Sequence, residues 1–210
     1  TPKDDMSELK EMLPDLHLLE PIWSSPVIHS ESILPIKRSA DGAISAKLRF
    51  PAQDIISVRS ANRAYTLKQN EDFQHSSDGT TITISAGVPI PFVAEDDLYP
   101  LASSEKGYKH RAGHPEQNML YGEGHWFHDR QLEVTYQRKQ GKVDWSGPIP
   151  TLSEKELPRT FARLRAKELI TIGVSGDSIT QGYNASGYTD APPHMPPYPN
   201  LVAAQLSASF

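Results

Sequence analysis

The sequence predicts a β-sandwich, jelly-roll-like in its many short strands, followed by the opening strand, turn and helix of an α/β domain. Two observations predict the first part and one predicts the second. ISAKLRF, DIISVRS, TTITISAG and RQLEVTYQR alternate apolar with polar residues or are rich in Ile, Val, Thr and Tyr, as half-buried strands require. Asp41-Gly42 and Asp78-Gly79 stand among these segments, and Asp-Gly supplies the positive φ of a tight hairpin. Near residue 168 the alternation gives way to the continuous apolar run ELITIGVS, the pattern of a strand covered on both faces in a parallel sheet.

Each region follows from its local chemistry. Residues 1–17 read as an N-terminal segment whose SELKEMLPDL forms a short exposed helix ended by Pro14. The sandwich spans residues 18–139. Pro89, Pro91 and Pro100 interrupt it after TTITISAG, and because proline cannot donate to a sheet ladder, residues 87–118 are expected to form a long irregular connection. Residues 140–167 read as a linker or strap, since Gly, Pro and charge replace alternation there; TFARLRAKE suits a short helix at its end. Residues 168–210 form the α/β unit: the apolar strand, a small-residue turn, the Pro-rich loop APPHMPPYP and the helix LVAAQLSASF. Asn200 is its expected N-cap, and Leu201, Val202, Gln205 and Leu206 its apolar stripe.

Composition excludes several functions. A chain of 210 residues with 37% hydrophobic content can bury a core. Its net charge of −5, with Lys and Arg scattered along the chain, argues against a nucleic-acid partner, which needs a basic footprint. The absence of cysteine removes disulfides, thiolate nucleophiles and Cys-type zinc sites, leaving only His and carboxylates for any metal. No apolar run approaches the roughly 20 residues of a membrane helix, so no membrane partner is expected. The polar start TPKDDMSELKEM lacks the hydrophobic region of a signal peptide; secretion or periplasmic export after signal removal is compatible with it, and localisation stays open.

The chemistry concentrates at Gly176-Asp177-Ser178. At the carboxyl end of a parallel strand, side chains project into the crevice where open α/β sheets place ligands. Gly173, Gly176 and Gly182 let the backbone turn tightly there, and N–H groups beyond the strand can face a developing oxyanion. The plainer reading is a turn in which Asp177 caps a backbone N–H and Ser178 completes the loop. A trypsin-like core needs Gly-Gly after the serine, where Ile179-Thr180 stand. The Gly-x-Ser-x-Gly elbow fails at Thr180.

Residues 172–184, IGVSGDSITQGYN, resemble the first block of the SGNH, or GDSL-type, hydrolases, and PYPNLVAAQL is similar to the helix that follows it in that family. The resemblance spans about residues 168–210. It implies a flavodoxin-like α/β hydrolase domain of which this is the first β-α unit. By it Ser178 matches the nucleophile of a serine esterase and its backbone N–H one oxyanion donor; Asp177 and Gly176 are structural members of the site. Neither a Gly-x-Asn-Asp nor an Asp-x-x-His block follows residue 178, so the catalytic His and Asp are expected outside these residues. They would lie on the remainder of the SGNH domain, expected as a second polypeptide divided from this one after about Phe210. A β-sandwich ahead of an SGNH domain is similar to the architecture of some carbohydrate acetyl esterases, which suggests by analogy an O-acetylated carbohydrate as ester substrate. The competing readings are a non-catalytic carbohydrate-binding or interaction module, and a lipase or thioesterase of the same family. No cofactor is expected.

Other candidates carry less. His194, the one histidine after Ser178, matches no family block and sits in a Pro-rich loop. Asn184-Ala185-Ser186 fits a glycosylation pattern that would crowd the nucleophile, and reads as chance. His110, His114, His125 and His128 form the one metal-like cluster, but the glycines and proline around the first pair deny it a helix, and in an extended GHWFHDRQ the second pair faces opposite ways. No metal site is expected. Trp126, Phe127 and Arg130 suggest either core packing or a sugar-binding face. Glu95-Asp96-Asp97 reads as a solvated turn rather than a calcium loop.

Overall fold

The computed structural model describes residues 25–104, 107–108, 111–139, 147–148 and 154–210. The expected helix within residues 7–16 and most of the linker before residue 154 lie outside them. Nine strands are described, and they form two sheets. The first has the order β1 (Val27–Ile33), β9 (Leu132–Arg138), β4 (Ala52–Ser60), β5 (Thr66–Leu67), all antiparallel. The second runs β6 (Phe73–His75), β7 (Thr81–Ile84), β3 (Ile44–Lys47), β2 (Ile36–Lys37), β8 (Val93–Ala94), with β2 and β8 parallel. This is mostly sheet with few helices, an arrangement compatible with a β-sandwich.

Period-2 patterning builds the core. Leu132, Val134 and Tyr136 on β9 are fully buried while their neighbours are less so, and Ile82 and Ile84 on β7 alternate with more exposed threonines. These residues join Ile33, Ile44, Val58, Leu67 and Phe73 in one cluster fed by both sheets. Each fully buried aliphatic side chain contributes roughly 1.5–3 kcal/mol. The phenol of Tyr136 remains satisfied: its hydroxyl donates to Glu31 Oε2 at 2.5 Å and accepts from the Phe50 N–H at 3.2 Å. Burial, and then the hydrogen bond to Glu31, raises its pKa above the ordinary phenol range.

Both expected hairpins form. Asp41-Gly42 lies between β2 and β3, and Asp78-Gly79 between β6 and β7; the glycines have φ of +68° and +79°. Gly79 is required twice, because a Cβ there would also meet the Ala52 carbonyl at 2.1 Å. The alternation of DIISVRS is broken by register shifts between Ala52 and Asp54 and between Ile55 and Ser57. A bulge turns successive side chains to unexpected faces, and Ile56 is accordingly exposed.

The structure corrects several details. Within residues 87–118 the connection is largely irregular, but it contains β8 and a one-turn helix, α1 (Glu95–Leu98), whose first turn is the acidic triplet. Carboxylates there are favoured by the helix dipole, and Glu95 accepts from the Ser39 N–H. The segment 125–130 is not extended: it coils into turns and a 3₁₀ helix (His128–Arg130), so its two histidines do not alternate across a strand. Helix α2 (Pro158–Arg165) forms where TFARLRAKE predicts one. The last helix, α4 (Tyr198–Ser209), begins before Asn200 with Pro197 at its N-cap. Proline's fixed φ suits the first helical turn, so Pro199 sits inside the helix and Asn200 caps nothing.

The apolar run is in no strand among the described residues. Residues 168–177 enter no ladder with the described residues, and Leu169, Ile172 and Val174 are 87%, 51% and 52% exposed. A strand exists only through the edge it pairs with. The segment pairs with neither sheet among the described residues; the Leu169 carbonyl accepts instead from Arg163 Nη2 at 2.8 Å.

Candidate functional site

The turn around Ser178 is assembled locally. Asp177 is extended and caps the four-residue helix α3 (Ser178–Gln181), its Oδ1 accepting from the Ile179 N–H at 3.0 Å. This satisfies one of the orphan donors of a helix start. Ser178 is the first helical residue and is exposed, and a first-position N–H has no intrahelical acceptor. Among the described residues its hydroxyl is bonded to no histidine and no carboxylate.

Two glycines shape the turn. A Cβ on Gly176 would lie 2.1 Å from Thr180 Oγ1, so Thr180 folds over a position that only glycine leaves open. Gly182 closes the helix with φ +96°, and a Cβ there would meet Pro197 Cγ at 2.4 Å. Gly173 differs: no atom comes within 4 Å of its Cβ position, and the turn makes no demand on it. The chain then closes back on itself, the Tyr183 N–H donating to the Ser178 carbonyl at 2.8 Å.

The loop beyond is internally tied. Ser186 is buried and its Oγ accepts from the Met195 N–H at 2.8 Å, while the Gly187 N–H donates to the Met195 carbonyl. The hydroxyl of the glycosylation-like triplet therefore belongs to loop packing. His194 has φ +57° and faces Asp190 at 3.6 Å; no contact joins it to Ser178.

Two contacts that sequence reasoning did not foresee join this loop to the two-sheet body. His128 Nε2–H donates to the Pro192 carbonyl at 2.7 Å, which fixes that tautomer because a carbonyl only accepts. The Tyr183 phenol is pushed above the usual range by its polar neighbours, first Tyr121 and then Glu123. The one available signal was aromatic density, in the stretch MLYGEGHWF that precedes β9.

The histidine cluster separates into pairs. His125 Nδ1 contacts Asp129 Oδ2 at 2.7 Å, and His114 Nδ1 contacts Glu116 Oε1 at 3.2 Å. His110 lies outside the described residues, and among those described no three His, Asp or Glu side chains converge on a point where a metal ion fits. Trp126 is half-buried and outside the core cluster. The Arg130 guanidinium lies 3.8 Å from its ring centre and Phe127 abuts it edge-on at 4.8 Å, so the ring is engaged by its own neighbours.

No protein-family model, no curated protein and no solved structure matches this chain. Among the described residues no helix is long and apolar enough to cross a membrane.

Proposed function

We propose that the protein is a serine ester hydrolase of the SGNH type, with Ser178 as nucleophile. The observation that carries the reading is the Ser178 turn: an exposed hydroxyl at the first position of a short helix, fixed by a capping aspartate and two sterically required glycines. Asp177 spends its carboxylate on the Ile179 N–H, which suits a structural role rather than that of a triad acid. The resemblance of residues 172–184 to the first SGNH block supports the same assignment. In this proposal Ser178 attacks the ester carbonyl, its own N–H donates to the oxyanion, and a histidine oriented by an aspartate removes the serine proton. Both partners belong to the remainder of the flavodoxin-like sheet, which would give the exposed run 168–175 its neighbouring strands. The substrate class is an O-acetylated carbohydrate, with the two-sheet body as a jelly-roll-like domain ahead of the catalytic one.

The test is hydrolysis of 4-nitrophenyl acetate by the full-length protein and by its Ser178→Ala variant. Nitrophenol release that disappears in the folded variant is the expected result. A folded variant retaining most of the wild-type kcat sinks the assignment, and a wild-type protein that releases none turns the reading toward a binding module.

A further inference from the structure

Four exposed tyrosines run across the junction between the two-sheet body and the serine loop. Tyr108 and Tyr121 meet edge to face with ring centres 4.7 Å apart, and Tyr183 and Tyr188 pack at 5.9 Å. The two pairs lie at one junction, where the His128–Pro192 bond joins the stretch that carries Tyr121 to the loop that carries Tyr183 and Tyr188. Their exposures are 62%, 46%, 37% and 54% in chain order, and Tyr183 is tied through its N–H to the Ser178 carbonyl. Glu123 borders the run, accepting from the Tyr121 hydroxyl at 3.4 Å.

We propose that Tyr108, Tyr121, Tyr183 and Tyr188 form a track that binds a polysaccharide chain and leads it to Ser178. The inference rests on the ester-hydrolase reading for its direction and deepens it by locating the substrate's sugar portion. The chemistry selects the ligand. Ring faces offer flat apolar area to the C–H faces of sugars, while phenol hydroxyls and the Glu123 carboxylate offer hydrogen bonds to sugar hydroxyls. A lipid chain would strip water from those polar groups without replacing its hydrogen bonds. A nucleic acid would bring phosphates to a track bordered by a carboxylate. Two tyrosines come from the body and two from the serine loop, so the track exists only where the two parts meet.

The experiment uses the full-length protein carrying Ser178→Ala, so that binding is read without hydrolysis. A microarray of plant, algal and bacterial polysaccharides identifies a bound glycan, and calorimetry with that glycan compares the parent with added Tyr108→Ala and Tyr188→Ala. The expected outcome is glycan binding that each alanine weakens about tenfold, the loss of one aromatic contact, and that Tyr108→Phe preserves in a protein of unchanged melting temperature. Binding to no polysaccharide, or binding indifferent to both alanines, overturns the track. So does hydroxyl-radical footprinting in which Tyr108 and Tyr188 are already protected without glycan, since another protein surface would then cover them. Failure of the esterase reading is separate: tyrosine-dependent binding would persist while the serine-intact protein released no acetate.

Discussion

Replacing Gly176 by alanine tests whether packing behind the serine turn sets its geometry. The new Cβ would lie 2.1 Å from Thr180 Oγ1, 2.8 Å from Cγ2 and 2.6 Å from Thr180 Cβ. A rotamer change can move the first two atoms, although Thr χ1 is stiff and Oγ1 lies 3.1 Å from the Tyr198 hydroxyl. The third is anchored to the backbone and moves only if the turn moves. Overpacking of this kind costs about 1–3 kcal/mol, and here it falls on a four-residue helix remote from the core cluster. Local opening should therefore increase about 5- to 150-fold while global melting stays put. Hydrogen exchange reads this directly at the Gln181, Gly182 and Tyr183 amides, which donate to the Asp177, Ile179 and Ser178 carbonyls at 3.0, 3.0 and 2.8 Å. If Ser178 is the nucleophile, ester hydrolysis falls too, since a 1 Å misplacement costs on the order of 10²-fold. Gly173→Ala is the control, with no atom within 4 Å of its Cβ position. Equal loss of protection in both variants, or protection retained in Gly176→Ala, would refute the steric argument.

Two further outcomes follow from individual side chains. Asp177→Ala should lose about 1 kcal/mol of local stability by removing the cap, seen as faster exchange in residues 179–183, whereas Asp177→Asn keeps an acceptor and most of the protection; similar exchange in both would discredit the capping role. Asp78 is held down to about 2 from 3.8, first by the Ser76 hydroxyl at 2.5 Å and then by the Thr80 N–H and hydroxyl at 2.9 Å. A folded pKa below the unfolded one stabilises above the unfolded value and loses that contribution as pH falls toward 2. Acid titration of Tm between pH 4 and 2 should be shallower for Asp78→Asn than for wild type, and identical slopes would discount the turn.

What the sequence disclosed and what it withheld divide by range of interaction. Strands β3, β4, β7 and β9 and both Asp-Gly hairpins were readable because their signals are local: alternation over four to nine residues and a turn dipeptide. β1, with its VIHSESI, was not, because the polar run His29-Ser30-Glu31-Ser32 interrupts its apolar residues. Nor was the insertion of β9 between β1 and β4, pairings between residues 72 to 110 positions apart that no local pattern encodes. At the candidate site, Gly176 and Gly182 were legible as turn glycines, and Gly173 was grouped with them although nothing crowds it. The GHWFHDRQ segment was taken as extended because it runs directly into the strand signal of RQLEVTYQR, while His125 and Asp129, four apart, close a helical turn through their backbone and side chains. Run 168–175 has the composition of a strand without a described edge to join, and composition cannot supply a partner.

That contrast bears on how Ser178 is positioned. In an open α/β sheet a residue at a strand end is placed by the ladder beneath it, yet the run leading into Ser178 has no ladder here. The turn is instead held from the other side. Asp177, Thr180 and Pro197 fix it within its own loop, and the loop is tied to the two-sheet body by the His128–Pro192 bond and by Tyr183 against Tyr121 and Glu123. Both ties arise from the same irregular stretch, residues 121–128, immediately before β9, whose inner side chains are fully buried. A rigid core strand thus anchors the connection, the connection anchors the loop, and the loop presents the hydroxyl. The two-sheet body in this arrangement is a positioning element for the serine turn and not merely a neighbouring module, because loosening residues 121–128 would release both ties at once.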